Sequence, residues 1–158
     1  MSSISIRPAT QEDLPILHEF EQGIITAERP FDPTLKPDPI NYYDLKALVE
    51  SDRASVIVAE DQGQLVASGY ANIVEAKDFY KHTRYAYLGF MFVKPDYRGK
   101  GIITQILDEL KSWSKAKGIN EIRLEVYSEN DPAVRAYEKA GFKKHMVEMR
   151  MDISRKSD

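Results

Sequence analysis

Tyr97-Arg-Gly-Lys-Gly-Ile-Ile103 combines two glycines and two cations immediately ahead of an apolar run with helical spacing. The first turn of a helix leaves backbone N–H groups without internal partners, and the aligned peptide dipoles place partial positive charge there. Gly99 and Gly101 have no side chains to shield those amides, and Arg98 and Lys100 add charge. Such a turn suits a phosphate or diphosphate. The plainer reading is a tight turn with two solvated cations. The position between a buried strand and a helix favours the anion cradle. Two common phosphate motifs do not fit: no Ser or Thr follows Lys100, and Ile102-Ile-Thr104 stands where a dinucleotide fingerprint needs its third glycine.

The elements that must position this turn are legible in the periodicity. Ile4 and Ile6 alternate with polar residues and predict a strand over 2–8, closed by Pro8. Thr10-Gln-Glu-Asp13 resembles a capping box and predicts a helix over about 11–24, with Leu14, Leu17, Glu21, Ile24 and Ile25 on one face and Pro15 awkward within it. Pro30, Pro33, Pro37 and Pro39 predict an ordered loop or broken helix over 26–41, a wall of a site or a plain connector. A helix over about 40–51 follows. Residues 54–59 and 65–74 read as a hairpin turned at Gly63. Residues 84–93 are almost continuously apolar after Tyr85 and predict a strand buried on both faces, with Gly89 permitting a bulge or a close backbone approach.

Beyond the glycine turn, Ile103, Ile106, Leu107, Leu110 and Trp113 predict a helix stopped by Gly118. A strand over 119–127, a short helix from Asn130 to Gly141 and a last strand over 142–153 complete the order, and the tail from Ser154 is expected to fray. The order β-α-α-β-β-β-α-β-α-β predicts a single α+β domain over 1–158, its core about 3–153. Its layers are a mixed, mainly antiparallel, twisted sheet flanked by helices. The strands joined through the central helix run parallel.

The 158 residues carry 25 acidic against 22 basic side chains, a net charge of -3, which speaks against a general nucleic-acid or anionic-membrane binder. No cysteine is present, so disulfides, thiolate nucleophiles and cysteine metal sites are excluded. His18, His82 and His145 are scattered without metal-ligand spacing, so no metal is expected. The absence of a signal-like start and of any long apolar stretch leads to the expectation of a soluble, cytoplasmic chain.

Val93-x-Pro95-x-Tyr97-Arg98-Gly99-Lys100-Gly101-Ile102 resembles the acyl-CoA-binding motif of the GNAT N-acetyltransferase superfamily. Asn130-x-Pro-Ala133-x-x-x-Tyr137-Glu-Lys-Ala-Gly141-Phe142 is similar to its second signature, in the family order and one strand downstream. The resemblance covers nearly the whole chain. It departs at Ile103, where the family usually has Gly or Ala; the spacing to Ile106, Leu107 and Leu110 turns that side chain to the core.

The resemblance implies a GNAT-like acyl-CoA N-acyltransferase fold, acetyl-CoA as donor, and direct attack by a neutral amine in a ternary complex. It rests the pyrophosphate on the backbone of Arg98, Gly99, Lys100, Gly101 and Ile102. It lays the pantetheine arm beside residues 88–93, in a cleft against 122–127, with backbone hydrogen bonds from Phe92 and Val93. A backbone N–H near Phe92 would polarise the thioester carbonyl. Asn130 bonds to the arm or caps its helix. Tyr137 is the general acid for the departing thiolate, a phenol with pKa about 10, or else a core aromatic beside Ala133, Ala136 and Ala140. A carboxylate reached through water would take the amine's proton. The candidates are Glu28, Glu125 and Glu75, in that order, each also readable as a solvated side chain. Tyr80, Tyr85, Tyr87, Phe31, Tyr42 and Tyr43 fall where they could surround an acceptor. The expected acceptor is a small-molecule primary amine. A protein or peptide amine, or a non-catalytic acyl-CoA-binding regulatory module, are the alternatives. A homodimer is the superfamily expectation, with no nucleic-acid or membrane partner.

Overall fold

In a computed structural model, which describes residues 3–154, the alternation at Ile4 and Ile6 becomes β1 (Ile4–Pro8). The first residue of the expected strand, Ser2, and the tail from residue 155 lie outside the described residues. The chain forms two compact units, one ending at Glu125 and one beginning at Val126.

In the first unit, Thr10 opens a single 3-10 turn, Gln11–Asp13, with its backbone N–H donating to Asp13 Oδ2 at 2.8 Å. Helix α1 (Leu14–Glu28) follows directly. Pro15 is accommodated because it falls in the first turn, where a missing N–H costs nothing. The helix runs four residues past the expected end, and a second 3-10 turn, Arg29–Phe31, continues it.

The expected helix over 40–51 is shorter: α2 is Leu45–Glu50. Glu21 explains the difference. Its fully buried carboxylate accepts the backbone N–H groups of both Tyr42 and Tyr43 at 2.8 Å, which holds that stretch out of a helix. Asp44 then caps α2 by accepting from the Ala47 N–H at 3.1 Å.

Strands β2 (Ala54–Asp61), β3 (Gln64–Glu75) and β4 (Arg84–Val93) form an antiparallel meander behind β1. Helix α3 (Ile102–Ala116) crosses over to β5 (Ile122–Arg123), which pairs parallel to β4. The strand order is β1-β2-β3-β4-β5. Leu17, Phe20 and Ile24 of α1 pack with Leu45 of α2 against Val56, Val58, Tyr70 and Phe90 on one sheet face. Ile106 and Leu110 of α3 press on Gly69 on the other, so the sheet lies between two helical layers. The fold is the expected α+β one.

Three features differ from the periodicity. Ile102, at 2% exposure, starts the buried stripe of α3, whereas Ile103 is half-buried. Strand β5 is only Ile122–Arg123, because its ladder to β4 ends at Tyr87↔Arg123. The bulge in β4 lies at Phe90, not Gly89. Ser68 pairs with Phe92 while Tyr70 pairs with Gly89, so β4 carries one extra residue, and Phe90 takes φ +58°.

In the second unit, Asn130 opens helix α4 (Asp131–Lys139), its Oδ1 accepting from the Ala133 N–H at 3.4 Å. The Tyr137 and Phe142 rings meet edge to face at 5.9 Å. The strand expected over 142–153 is absent: these residues form no ladder, and Met146, Val147, Met149, Met151 and Ile153 are exposed. Alternation supplies an apolar face, but a strand also needs a partner for its backbone groups.

Candidate active site

The bulge shapes the first half of the site. Ser68 Oγ donates to Phe90 O at 2.9 Å and fixes the distorted backbone from the β3 side. Because the Lys94 N–H donates to Val66 O on β3, the alternation turns the backbone of Val93 to the opposite edge and that of Phe92 towards β3. Val93, rather than Phe92, therefore presents its backbone along the edge that β5 leaves unpaired. The Phe92 side chain stacks on Phe20 at 4.8 Å. Gly23 permits this contact, since a Cβ there would lie 2.6 Å from the Phe92 ring.

The expected anion cradle follows at once. Gly99 and Gly101 have φ of +75° and +80°, a region costly for any residue with a Cβ. Gly101 caps α3 in the left-handed conformation with no side-chain hydrogen bond to the first turn. A Cβ placed on either glycine would meet nothing within 4 Å. The first-turn amides of α3 thus lack a side-chain cap, and the two glycines ahead of them border open space. Arg98 folds back, its Nε donating to Val93 O at 3.1 Å. Lys100 Nζ stands 5.2 Å from the Tyr97 ring centre. The Tyr97 hydroxyl donates to Asp61 Oδ2 at 2.7 Å, which ties the turn to the end of β2. These residues fit a diphosphate: bare amides, two exposed cations and room.

A second group of residues gathers on the α1 side of the bulge. The Tyr43 ring lies 5.5 Å from that of Tyr70 and 5.4 Å from that of Phe90. Tyr70 lies across Gly89; a Cβ there would come within 2.7 Å of its hydroxyl oxygen. The Tyr87 hydroxyl donates to Glu125 Oε1 at 3.0 Å. Burial pushes the Glu28 carboxyl above the ordinary carboxylate range, against a hydrogen bond from Tyr42 that lowers it, with Asp32 raising it further. Burial likewise raises Tyr43, Tyr70 and Tyr87, so all three phenols stay protonated at neutral pH.

Of the expected carboxylates, Glu28 and Glu125 both act electrostatically on Tyr87. Glu75 is engaged elsewhere, in an exposed ion pair with Arg53 at 2.8 Å. Among the expected aromatics, Tyr42, Tyr43 and Tyr87 pack on the α1-side cluster. Tyr80 and Tyr85 instead flank the Arg123 guanidinium, at 5.3 and 3.9 Å, beside His82 and Glu121. Asn130 and Tyr137 lie in the second unit, in the cap and ring contact described above. Sequence reasoning missed Tyr70 and Glu21. The available signals were a glycine inside an apolar strand and a glutamate on an apolar helix face. Among the described residues, no three His, Asp or Glu side chains group to hold a metal, and no helix is long and apolar enough to cross a membrane.

A kinked central strand leading through a glycine turn into an uncapped helix agrees with a family match: residues 20–142 fit the acetyltransferase (GNAT) family, and the chain belongs to it. Among individual proteins, it is 33% identical over 121 residues to acetyltransferase SG1711 of Sodalis glossinidius, covering 77% of this chain and 78% of that protein. Its fold is similar to a predicted acetyltransferase with acetyl-CoA from Clostridium acetobutylicum (21% identity, TM-score 0.74, 95% of this chain and 96% of that one). It is also similar to the aminoglycoside antibiotic 6'-N-acetyltransferase AAC(6')-Ih from Acinetobacter baumannii (21% identity, TM-score 0.69, 96% and 99%).

Proposed function

We propose that the chain transfers the acetyl group of acetyl-CoA to the primary amine of a small molecule by direct attack in a ternary complex. The uncapped start of α3, opened by two left-handed glycines, is the observation that carries this reading. Backbone amides from Gly99 to Ile102 take the donor's diphosphate, the Arg98 N–H being already engaged with Pro95 O at 3.3 Å, and Val93 meets the arm along the free edge of β4. Oriented amides there hold developing negative charge without having to reorganise. The α1-side group, with Glu28 and Glu125 among tyrosines, supplies the acceptor's surroundings and the carboxylates that take its proton. Tyr137 is the acid for the leaving thiolate; that assignment rests on its place in the second signature. The similar fold of a predicted acetyltransferase with acetyl-CoA supports the donor, and that of an aminoglycoside 6'-N-acetyltransferase supports a small-molecule acceptor.

The test is CoA thiol release, read colorimetrically, across a diamine, an aminosugar, an amino acid and a short peptide. With no cysteine in the chain the readout has no protein background. Amine-dependent release with a matching acetylated product is expected. Thermal stabilisation by CoA without turnover of any amine would identify a binding module instead.

A further inference from the structure

Tyr87 and Glu125 join β4 and β5 where their ladder stops. Tyr87↔Arg123 is the last paired position, and two residues further along β5's course Glu125 Oε1 accepts the Tyr87 hydroxyl at 3.0 Å. Tyr87 is half-buried on the α1 side, against the core cluster that includes Tyr70 and Phe90, whereas Glu125 is exposed. The titratable groups facing Tyr87 come from each element around it: Glu125 after β5, Tyr70 on β3, Glu28 on α1 and Tyr43 ahead of α2. Burial first, then Glu125, raises its phenol above the ordinary range. A phenol so placed is no base by itself, yet it can accept one proton while surrendering another.

We infer that Tyr87 relays the acceptor's proton to Glu125, an assignment that rests on the acetyl-transfer reading above. The N–H bond of the acceptor ammonium breaks and its proton passes to the Tyr87 oxygen. The Tyr87 O–H proton moves to Glu125 Oε1 in the same step. The amine is left neutral with its lone pair, Tyr87 is unchanged, and Glu125 becomes a carboxylic acid that loses its proton to solvent. In water an alkylammonium and a carboxylic acid differ by about six pKa units. Desolvation of an acceptor docked against half-buried Tyr87 disfavours its ammonium form and narrows that gap. The pathway replaces a water between amine and carboxylate by a fixed hydroxyl.

The experiment measures amine-dependent turnover of wild type, Y87F, E125Q and the double variant from about pH 6.5 to about pH 9.5, with acetyl-CoA affinity determined alongside. Y87F removes one oxygen and E125Q changes an exposed side chain, so both are expected to fold and to bind acetyl-CoA as wild type does. Each single variant is expected to lose about 100-fold in turnover at neutral pH. The double variant should be no worse than the poorer single, because both break one relay. The Y87F defect should shrink as pH rises towards the amine's own pKa, where solution supplies the neutral amine; a packing defect would not. A wild type that acetylates no amine overturns the acetyl-transfer reading and the relay together. An active wild type with Y87F at full rate, with E125Q at full rate, with a pH-independent defect, or with multiplying defects overturns the relay alone.

Discussion

Replacing Gly101 by Ala separates the backbone geometry of the cradle from its binding role. At φ +80° an alanine costs about 1–2 kcal/mol. Each kcal/mol corresponds to a melting shift of about 2–4 °C in a chain of this size. Gly118, at the other end of α3, provides a matched control. Its φ is +78°, and a Cβ there also meets nothing within 4 Å. G101A and G118A should therefore lose similar stability as free proteins. They should differ towards CoA. A methyl group over the α3 amides displaces one or two hydrogen bonds to a charged diphosphate, about 1.5–3 kcal/mol each. The CoA Kd of G101A should then rise at least about tenfold, and that of G118A should stay at the wild-type value. Calorimetric titration reads the affinities and thermal melts read the stabilities. Equal CoA affinity in the two variants would refute the cradle argument.

Gly69→Ala should destabilise the protein by about 1–3 kcal/mol in denaturant titrations, because the new methyl lies 2.7 Å from Ile106 Cγ2 and 2.9 Å from Met91 Sδ; unchanged stability would contradict the close packing of α3 on β3. Glu28→Gln tests the half-buried carboxyl. The Glu28 pKa is raised in the folded chain, so its contribution to stability is full below the ordinary carboxylate value and is lost as pH rises through the folded value. The melting temperature of E28Q relative to wild type should consequently be more favourable at pH 7 than at pH 4, and the reverse order would contradict the assignment.

The elements around the cradle were legible because each follows from a short-range pattern. Residues 84–93 form β4 with the expected bounds, and Gly99 and Gly101 adopt the backbone that only glycine takes readily. What escaped depends on partners distant in sequence. Gly89 reads as either a bulge or a close approach; its lack of a side chain makes room for Tyr70, while the extra residue sits one place on at Phe90. Nothing local distinguishes those uses of a glycine. Glu21 stands out as a carboxylate on an apolar face, yet the amides it binds belong to Tyr42 and Tyr43, more than five helical turns further along the chain. The phase of α3 shifts by one residue, from Ile103 to Ile102, because the left-handed Gly101 starts the helix at once. Residues 142–153 show the limit of alternation, which encodes an apolar face without encoding the strand that must pair with it.

Backbone amide NMR during CoA titration tests the central claim most directly. The largest shifts should fall on the N–H groups from Gly99 to Ile102, with weaker ones at Val93. Shifts that spare this turn while CoA binds elsewhere would contradict the account.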